Sequence, residues 1–355
     1  MLLTIRTRQV LVALATTVLL WIVACQPQSP PVPSSPVAEA ERVVLNGAGA
    51  TFPFPLYQRW LTEYSQEHPN VQINYQPIGS AAGIQQMIAE TVDFGASDVA
   101  MTDTDMAQVE RGVLLLPMTA GSVAIVYNLP GVEGLKLSRQ VYPEIFLGKI
   151  IRWNDPQIAA LNPELALPDQ PITLIHRSDG SGTTAVFTNH LGAISPEWQN
   201  QVGSGLSVQW PAGIGVKSNA GVSAQVQQAE GTIGYVEYGY AQQLGLSVAA
   251  LENAAGQHVL PDELLAANAL NEVEIPEDLR IFVRDPESPD AYPIVTYSWL
   301  LVYQQYDDPQ KAQALQEFIE WGLTAGQQFS QELGYVPLPA AVVEQAAERV
   351  AQLSS

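Results

Sequence analysis

The stretch RSDGSGTT, from Arg177 to Thr184, places six chemically active side chains in eight positions. It combines one cation, one carboxylate, two glycines and four hydroxyl-bearing side chains. Such a set could form the nucleophile turn of a hydrolase, the phosphate loop of a nucleotide-binding protein, or a cradle for a free anion. The residues around it distinguish the three.

A hydrolase would use Ser181 as its nucleophile. The elbow G-x-S-x-G needs glycines two residues to either side, where Asp179 and Thr183 stand. His190 or His258 could serve as a general base, but no further triad signal supports either residue. We therefore predict no catalytic residue and no enzymatic activity, and keep a phosphatase-like hydrolase using Ser181 as an alternative.

The nucleotide-binding motifs are also incomplete. The segment GAGATF (47–52) lacks the third glycine of G-x-G-x-x-G, and G-x-x-x-x-G-K-[ST] does not occur in the chain. The anion cradle remains as the interpretation that the residues favour, and we expect no cofactor.

Three glycine turns each follow a predicted strand and precede a predicted helix: GAGATF (47–52), GSAAG (79–83) and DGSGTT (179–184). The first N–H groups of a helix lack intrahelical partners and lie in positive potential, and glycine lets a ligand approach them. A single turn of this kind is usually only a helix cap. Three such turns, each with a Ser or Thr, predict one converging anion site.

Three charged residues accompany these turns. Arg177 would donate to the anion while Asp179 fixes its fork geometry, although the two could also form a plain surface ion pair. Asp98, which ends the segment VDFGASD, is either a cap or an acceptor for a protonated anion. As an acceptor it would favour protonated phosphate and oppose fully ionised sulfate.

The composition excludes several classes of protein. The chain has 355 residues, enough for two domains, and 47% hydrophobic residues, which is typical of a globular protein. Asp and Glu number 36 against 15 Lys and Arg, a net charge of −21, so nucleic acid is not an expected partner. One cysteine and four scattered histidines predict neither a disulfide nor a metal site.

The first residues predict export. Residues 1–24 have a basic start followed by an apolar run, and IVAC resembles the lipobox that leaves a lipid on Cys25. An uncleaved transmembrane anchor is the alternative. Residues 25–41, rich in Pro and Ser, would then tether the protein to a membrane. Cleavage removes two arginines and no acid, which leaves 13 basic and 36 acidic residues and a net charge of −23.

From Arg42 onward, strand-like and helix-like segments alternate, as in an α/β protein. We predict strands at 42–49 and 71–79, helices at 53–68 and 84–90, and a long helix at 309–333. Two apolar strands, 121–129 and 292–303, are long enough to cross between domains. The predicted lobe I is therefore 42–120 with 296–355, and lobe II is 121–295.

Several stretches, taken in order, resemble the substrate-binding proteins of bacterial ABC phosphate importers. They are GAGATFPFPLYQRW, VDFGASD, FLGKIIRWNDP, RSDGSGTT, GTIGYVEYGYA and LGYVPLP. The resemblance implies the type II periplasmic-binding-protein fold, in which two α/β lobes joined by crossing strands close on dehydrated phosphate. It also implies membrane permease subunits as partners, and we expect a monomer.

The resemblance further implies a phosphate site shared by both lobes. Lobe I would contribute the Thr51 hydroxyl, the Phe52 N–H, Ser80, and Asp98 as the acceptor. Lobe II would contribute Arg177, Asp179, Ser181, Gly182 and Thr183.

The sequence departs from the family pattern at several places, including the alanines of GSAAG (79–83), a turn of which only Ser80 is assigned to the site. His176 stands where some members have a second arginine, and the loop 213–222 lacks two glycines that are common in the family. No role is assigned to that loop, and 271–291 is only loosely similar. The sequence as a whole predicts a lipid-anchored phosphate receptor facing the periplasm or the cell surface. A receptor for another tetrahedral oxyanion, such as sulfate, is the nearest alternative.

Overall fold

The structure of the protein, a computed structural model, describes residues 42–353. The predicted signal peptide, Cys25 and the predicted tether lie outside the described residues. Within 42–353 no helix is both long enough and apolar enough to cross a membrane.

Thirteen strands are found in this part of the chain, and most of them join one sheet. They are β1 (Val43–Gly49), β2 (Val71–Pro77), β3 (Phe94–Ser97), β4 (Val113–Tyr127), β5 (Lys136–Leu137), β6 (Thr173–Arg177), β7 (Ile214–Val216), β8 (Thr232–Glu237), β9 (Ser247–Val248), β10 (Ala250–Glu252), β11 (His258–Val259), β12 (Val295–Tyr303) and β13 (Tyr335–Val336). The large sheet has the order β2-β1-β3-β12-β4-β8-β6-β7, with β9 and β13 also paired to β4, while β11-β10-β5 form a small separate sheet.

Helices connect the strands. They are α1 (Phe54–Glu67), α2 (Ser80–Ile88), α3 (Asp103–Met106), α4 (Val141–Phe146), α5 (Pro156–Leu161), α6 (Gly182–Ile194), α7 (Pro196–Gln201), α8 (Ser218–Gln228), α9 (Tyr238–Leu244), α10 (Glu263–Asn271), α11 (Pro309–Leu323) and α12 (Ala340–Val350). The parallel pairs β1–β2 and β1–β3 at one end of the sheet, and β6–β7 and β6–β8 at the other, each need such helical crossovers. The predicted α/β class with two lobes is confirmed.

Strands β4 and β12 run side by side through the middle of the sheet. They pair antiparallel from Val113↔Tyr303 to Ser122↔Val295. Beyond that point β4 pairs with β8, from Val123↔Glu237 onward. One fifteen-residue strand, buried throughout, therefore passes from one half of the sheet to the other.

β4 begins eight residues earlier than the predicted strand at Gly121. Pro117, which lies in the added part of the strand, has no N–H to donate to a ladder. The register shifts between Ser298 and Trp299, whose partners are Thr119 and Pro117, and this bulge accommodates the proline.

The prediction of one continuous helix over 309–333 is wrong in its last third. α11 ends at Leu323, and the chain continues as two short 3₁₀ helices, Ala325–Phe329 and Gln331–Leu333. The tighter turn fits around a buried tryptophan, because Trp60 Nε1 donates to Gly326 O at 2.8 Å.

Candidate anion-binding site

The residues predicted to bind an anion come from the ends of three strands and the starts of two helices. Thr51 lies just after β1 and Asp98 just after β3, Ser80 begins α2, and RSDGSGTT links β6 to α6. The carboxyl ends of parallel strands are where ligands bind in open α/β sheets. Except for Asp179, which is half-buried, the predicted residues are all buried: Thr51, Phe52, Ser80, Asp98, Arg177, Ser181, Gly182 and Thr183.

The start of α6 places the Ser181 hydroxyl and the Gly182 N–H at the site. Ser181 is its N-cap, and its Oγ accepts from Thr184 N at 3.0 Å. A hydroxyl that accepts a capping bond keeps its own hydrogen for another acceptor. The neighbouring Gly182 N donates to Ser80 Oγ at 3.2 Å, across the cleft between the two halves of the sheet.

Asp179 binds two of the three guanidinium nitrogens of Arg177. Its Nε donates to Asp179 Oδ1 at 2.7 Å and its Nη2 donates to Oδ2, while Nη1 is buried without a hydrogen-bond partner. Burial raises the pKa of Asp179, but the bonds and charge of Arg177 outweigh it, so the pKa lies below its usual value. The ionised carboxylate therefore fixes the guanidinium and leaves Nη1 as a directed donor.

Asp98 is a buried acceptor, with 1% of its surface exposed. Ser298 Oγ donates to its Oδ1 at 2.9 Å, and Ser80 Oγ donates to Oδ2 at 3.3 Å. Burial raises the pKa of Asp98 to about 7, against the opposing effects of the Ser298 bond, the charge of Arg177 and the Ser80 bond. The carboxyl group therefore changes its charge near neutral pH.

Two tyrosine hydroxyls orient the first glycine turn. Tyr240 OH donates to Thr51 O at 2.6 Å, and Tyr335 OH donates to Phe52 O at 2.7 Å. In a trans peptide the N–H points away from the C=O of the same unit. The bond to Thr51 O consequently directs the Phe52 N–H to the opposite side.

The walls of the cleft touch so closely that two glycines are required. A Cβ at Gly182 would lie 2.5 Å from Ser80 Oγ and 2.6 Å from Asp98 Oδ2. Gly79 has φ +99°, and a Cβ there would lie 2.7 Å from Gly180 O. Ala81 N also donates to Gly180 O at 3.1 Å, so the backbones of the two glycine turns are in direct contact.

Neither histidine considered as a general base bonds to Ser181. His190 Nε2 shares a hydrogen bond with Tyr142 OH at 2.7 Å, and burial lowers its pKa to about 4. His258 lies on β11, in the small separate sheet. Ser181 is therefore a helix cap with no histidine beside it among the described residues.

Similarity to known proteins extends over most of the chain. Residues 35–325 match the family model described as the PBP superfamily domain. Phosphate-binding protein PstS of Haemophilus influenzae is 44% identical over 312 residues, which cover 87% of this chain and 92% of that protein. The chain belongs to the PstS family of phosphate-binding proteins.

Solved structures support the fold of this PstS-family protein. The phosphate binding protein of Stenotrophomonas maltophilia matches with a TM-score of 0.69 at 19% identity, over 86% of this chain and 93% of that one. PfluDING, a periplasmic phosphate-binding protein solved with bound phosphate, matches with a TM-score of 0.69 at 22% identity. The match covers 86% of this chain and 93% of that one. At these identities the comparison establishes the fold alone.

The PstS-family chain has one site residue that the sequence reasoning missed. Asn219, in α8, is fully buried and donates from Nδ2 to Thr51 Oγ1 at 3.0 Å and to Thr183 Oγ1 at 3.1 Å. It lies in the loop-and-helix segment 213–222, to which the sequence assigns no role because the segment departs from the family pattern. The sequence signal that could have identified Asn219 is an amide side chain at the start of a helix that follows a strand.

Proposed function

We propose that the protein binds inorganic phosphate between its two lobes and delivers it to the membrane permease of an ABC importer. The observation that carries the proposal is a buried set of donors from both walls of the cleft beside one buried acceptor, Asp98. Phosphate keeps a proton near neutral pH and can donate it to a carboxylate, whereas sulfate cannot. Family membership supports the same ligand.

The binding roles follow from the contacts. Arg177 Nη1 and the N–H groups at the start of α6 would neutralise the anion, and Asp179 would hold the guanidinium. Asp98 would accept the ligand's proton. The remaining donors would be the hydroxyls of Thr51, Ser181 and Thr183 and the N–H of Phe52. Ser80 and Gly182 also belong to the predicted site, and in the structure the Ser80 hydroxyl donates to Asp98 while the Gly182 N–H donates to Ser80 Oγ.

The lobes would open and close about the crossing strands. Lobe I would comprise 42–120 and 296–355, and lobe II 121–295. The change of partner along β4, from β12 to β8 between Ser122 and Val123, supports a boundary close to these positions.

The protein would act outside the cytoplasm as a monomer held by a lipid on Cys25. The basic and apolar residues of 1–24 and the tether 25–41 support this placement. Recovery of a lipid-modified Cys25 peptide from the membrane fraction, and release of a Cys25→Ser variant from it, would test the anchor.

Calorimetric titration of the delipidated protein with phosphate and with sulfate tests the ligand. We expect tight phosphate binding and weak sulfate binding. Tight sulfate binding beside weak phosphate binding would replace the proposal with the oxyanion alternative. Turnover of a generic phosphoester that disappears in Ser181→Ala would instead establish a hydrolase.

A further inference from the structure

Among the hydrogen bonds of residues 42–353, Asn219 is the only site residue whose side chain bonds to hydroxyls of both predicted lobes. Thr51 belongs to the predicted lobe I, and Thr183 belongs to lobe II together with Asn219 itself. The side chain is fully buried, so water does not compete for these bonds. The amide therefore lies at the boundary between the two predicted lobes, where the anion would also bind.

The orientation of the amide is fixed by its third contact. Asn219 Oδ1 accepts from the backbone N–H of Glu237 at 3.1 Å. A backbone N–H can only donate, so the oxygen must face Glu237 and the NH₂ group must face the two threonines. Both hydrogens of the amide are then used, one on each threonine hydroxyl.

These bonds determine whether each threonine hydroxyl can donate or accept a further hydrogen bond. Thr51 Oγ1 accepts from Asn219 Nδ2 at 3.0 Å and from Asn219 N at 3.4 Å, which occupies both lone pairs. Thr183 Oγ1 accepts from the same Nδ2. The Thr51 hydroxyl can therefore only donate, whereas Thr183 Oγ1 keeps one free lone pair. In both residues the hydroxyl hydrogen must point away from the Asn219 amide that donates to the oxygen.

We propose that Asn219 is a positioning residue that turns the Thr51 and Thr183 hydroxyls into donors toward the anion. The inference rests on the proposed phosphate function and deepens it. Two hydroxyls would otherwise be free to rotate, and each could present a lone pair to the ligand. Because Asn219 reaches Thr51 across the cleft, the same bonds are made only when the lobes are together.

A double-mutant cycle tests the positioning role. In the wild-type background we expect Asn219→Ala to weaken phosphate binding ~10–100-fold, the value of one or two hydrogen bonds to a charged group. In the Thr51→Val/Thr183→Val background, where no hydroxyl remains to be oriented, the same change should cost less than about twofold. Equal losses in both backgrounds would overturn the proposal, because a purely structural role predicts additivity.

Asn162 supplies a matched control. It is also a buried lobe II amide with two donor bonds, to Lys136 O and Ile158 O, and one acceptor bond, from Lys136 N. Asn162→Ala should lower the thermal unfolding temperature without changing phosphate affinity. An affinity loss in Asn162→Ala as large as that in Asn219→Ala would attribute the effect to general destabilisation and overturn the proposal.

Asn219→Asp tests the same point with little change of shape. At pH 8 a carboxylate would accept the hydrogens of both hydroxyls, so that their lone pairs face the anion. We expect calorimetry to give a larger loss for Asn219→Asp than for Asn219→Ala, beyond about 1000-fold. An Asp variant that binds as well as the Ala variant would contradict the proposal. Failure of the wild-type protein to bind phosphate would instead refute the proposed function, so the two failures are distinguishable.

Discussion

The two walls of the cleft are built from the same kind of glycine turn but hold different charged groups. The wall of the predicted lobe II holds Arg177, buried and bound to Asp179, at the start of a helix. The wall of lobe I holds neutral hydroxyls and one buried carboxyl group, Asp98. We infer that the first wall attracts any tetrahedral anion and the second decides which anion stays. In a chain with a net charge of −21, the attraction has to be local.

The largest expected effect is on the attracting wall. Arg177→Gln should weaken phosphate and sulfate binding alike, by about 1000-fold, because it removes the cation and leaves the half-buried Asp179 carboxylate without its ion-pair partner. Calorimetry with both anions measures this effect. Arg139→Gln is the matched control, since Arg139 is held by Asp285 in a similar bidentate pair away from the cleft. A loss confined to phosphate would mean that Arg177 also distinguishes phosphate from sulfate. That result would contradict the division of roles between the two walls.

A smaller effect is expected where the walls meet. Gly182→Ala introduces a Cβ within 2.6 Å of Ser80 and Asp98, so the lobes should no longer close fully and phosphate affinity should fall ~10–100-fold. Small-angle scattering at saturating phosphate should show a larger radius of gyration than in the wild type. Gly221→Ala, on α8 with no atom nearer than 3.7 Å, is the control. A compact Gly182→Ala variant with unchanged affinity would show that the contact does not limit closure.

The smallest effect concerns the selecting wall and depends on pH. The folded pKa of Asp98, raised by burial to about 7, leaves the group charged above that pH and neutral below it. Neutral Asp98 can donate to sulfate, so sulfate affinity should rise up to about tenfold as pH falls from 8 toward 7, and then level off. Sulfate is the suitable probe because it does not titrate in this range.

Asp98→Asn provides the control for this pH series. An amide can donate at every pH, so the variant should bind sulfate without the pH slope and should discriminate less between the two anions. An unchanged slope or an unchanged selectivity would remove Asp98 from the selecting role. The same raised pKa also means that the contribution of Asp98 to fold stability falls as pH rises from about 4 through 7.

Local patterns predicted several of the elements that carry the site, but not α8, and they placed the start of α2 four residues after Ser80. Helical spacing of apolar residues predicted α1, and strand-turn-helix patterns predicted β1, β2 and the start of α6. The lobe boundaries and the nine site residues stay predictions. The partners of those residues could not be read locally, because Ser298 reaches Asp98 from 200 positions away and Asn219 reaches Thr51 from 168.

Two other features escaped the sequence reasoning for different physical reasons. The early start of β4 depends on a bulge that only its partner strand reveals. The last turns of the predicted helix 309–333 are tightened to 3₁₀ geometry by packing on Trp60, a tertiary contact that helical periodicity does not contain. In both cases the local preference was overridden by a distant element.

The pairing of β4 with β12 has a mechanical consequence. The strands that cross between the lobes are hydrogen-bonded neighbours, so they form one two-stranded ribbon and not two independent strands. A paired ribbon bends easily out of its plane and resists shear within it, because sliding one strand along the other breaks the ladder. If the lobes open and close as proposed, this pairing would confine them to rotation about a single axis, and each closure would return the glycine turns to the same alignment.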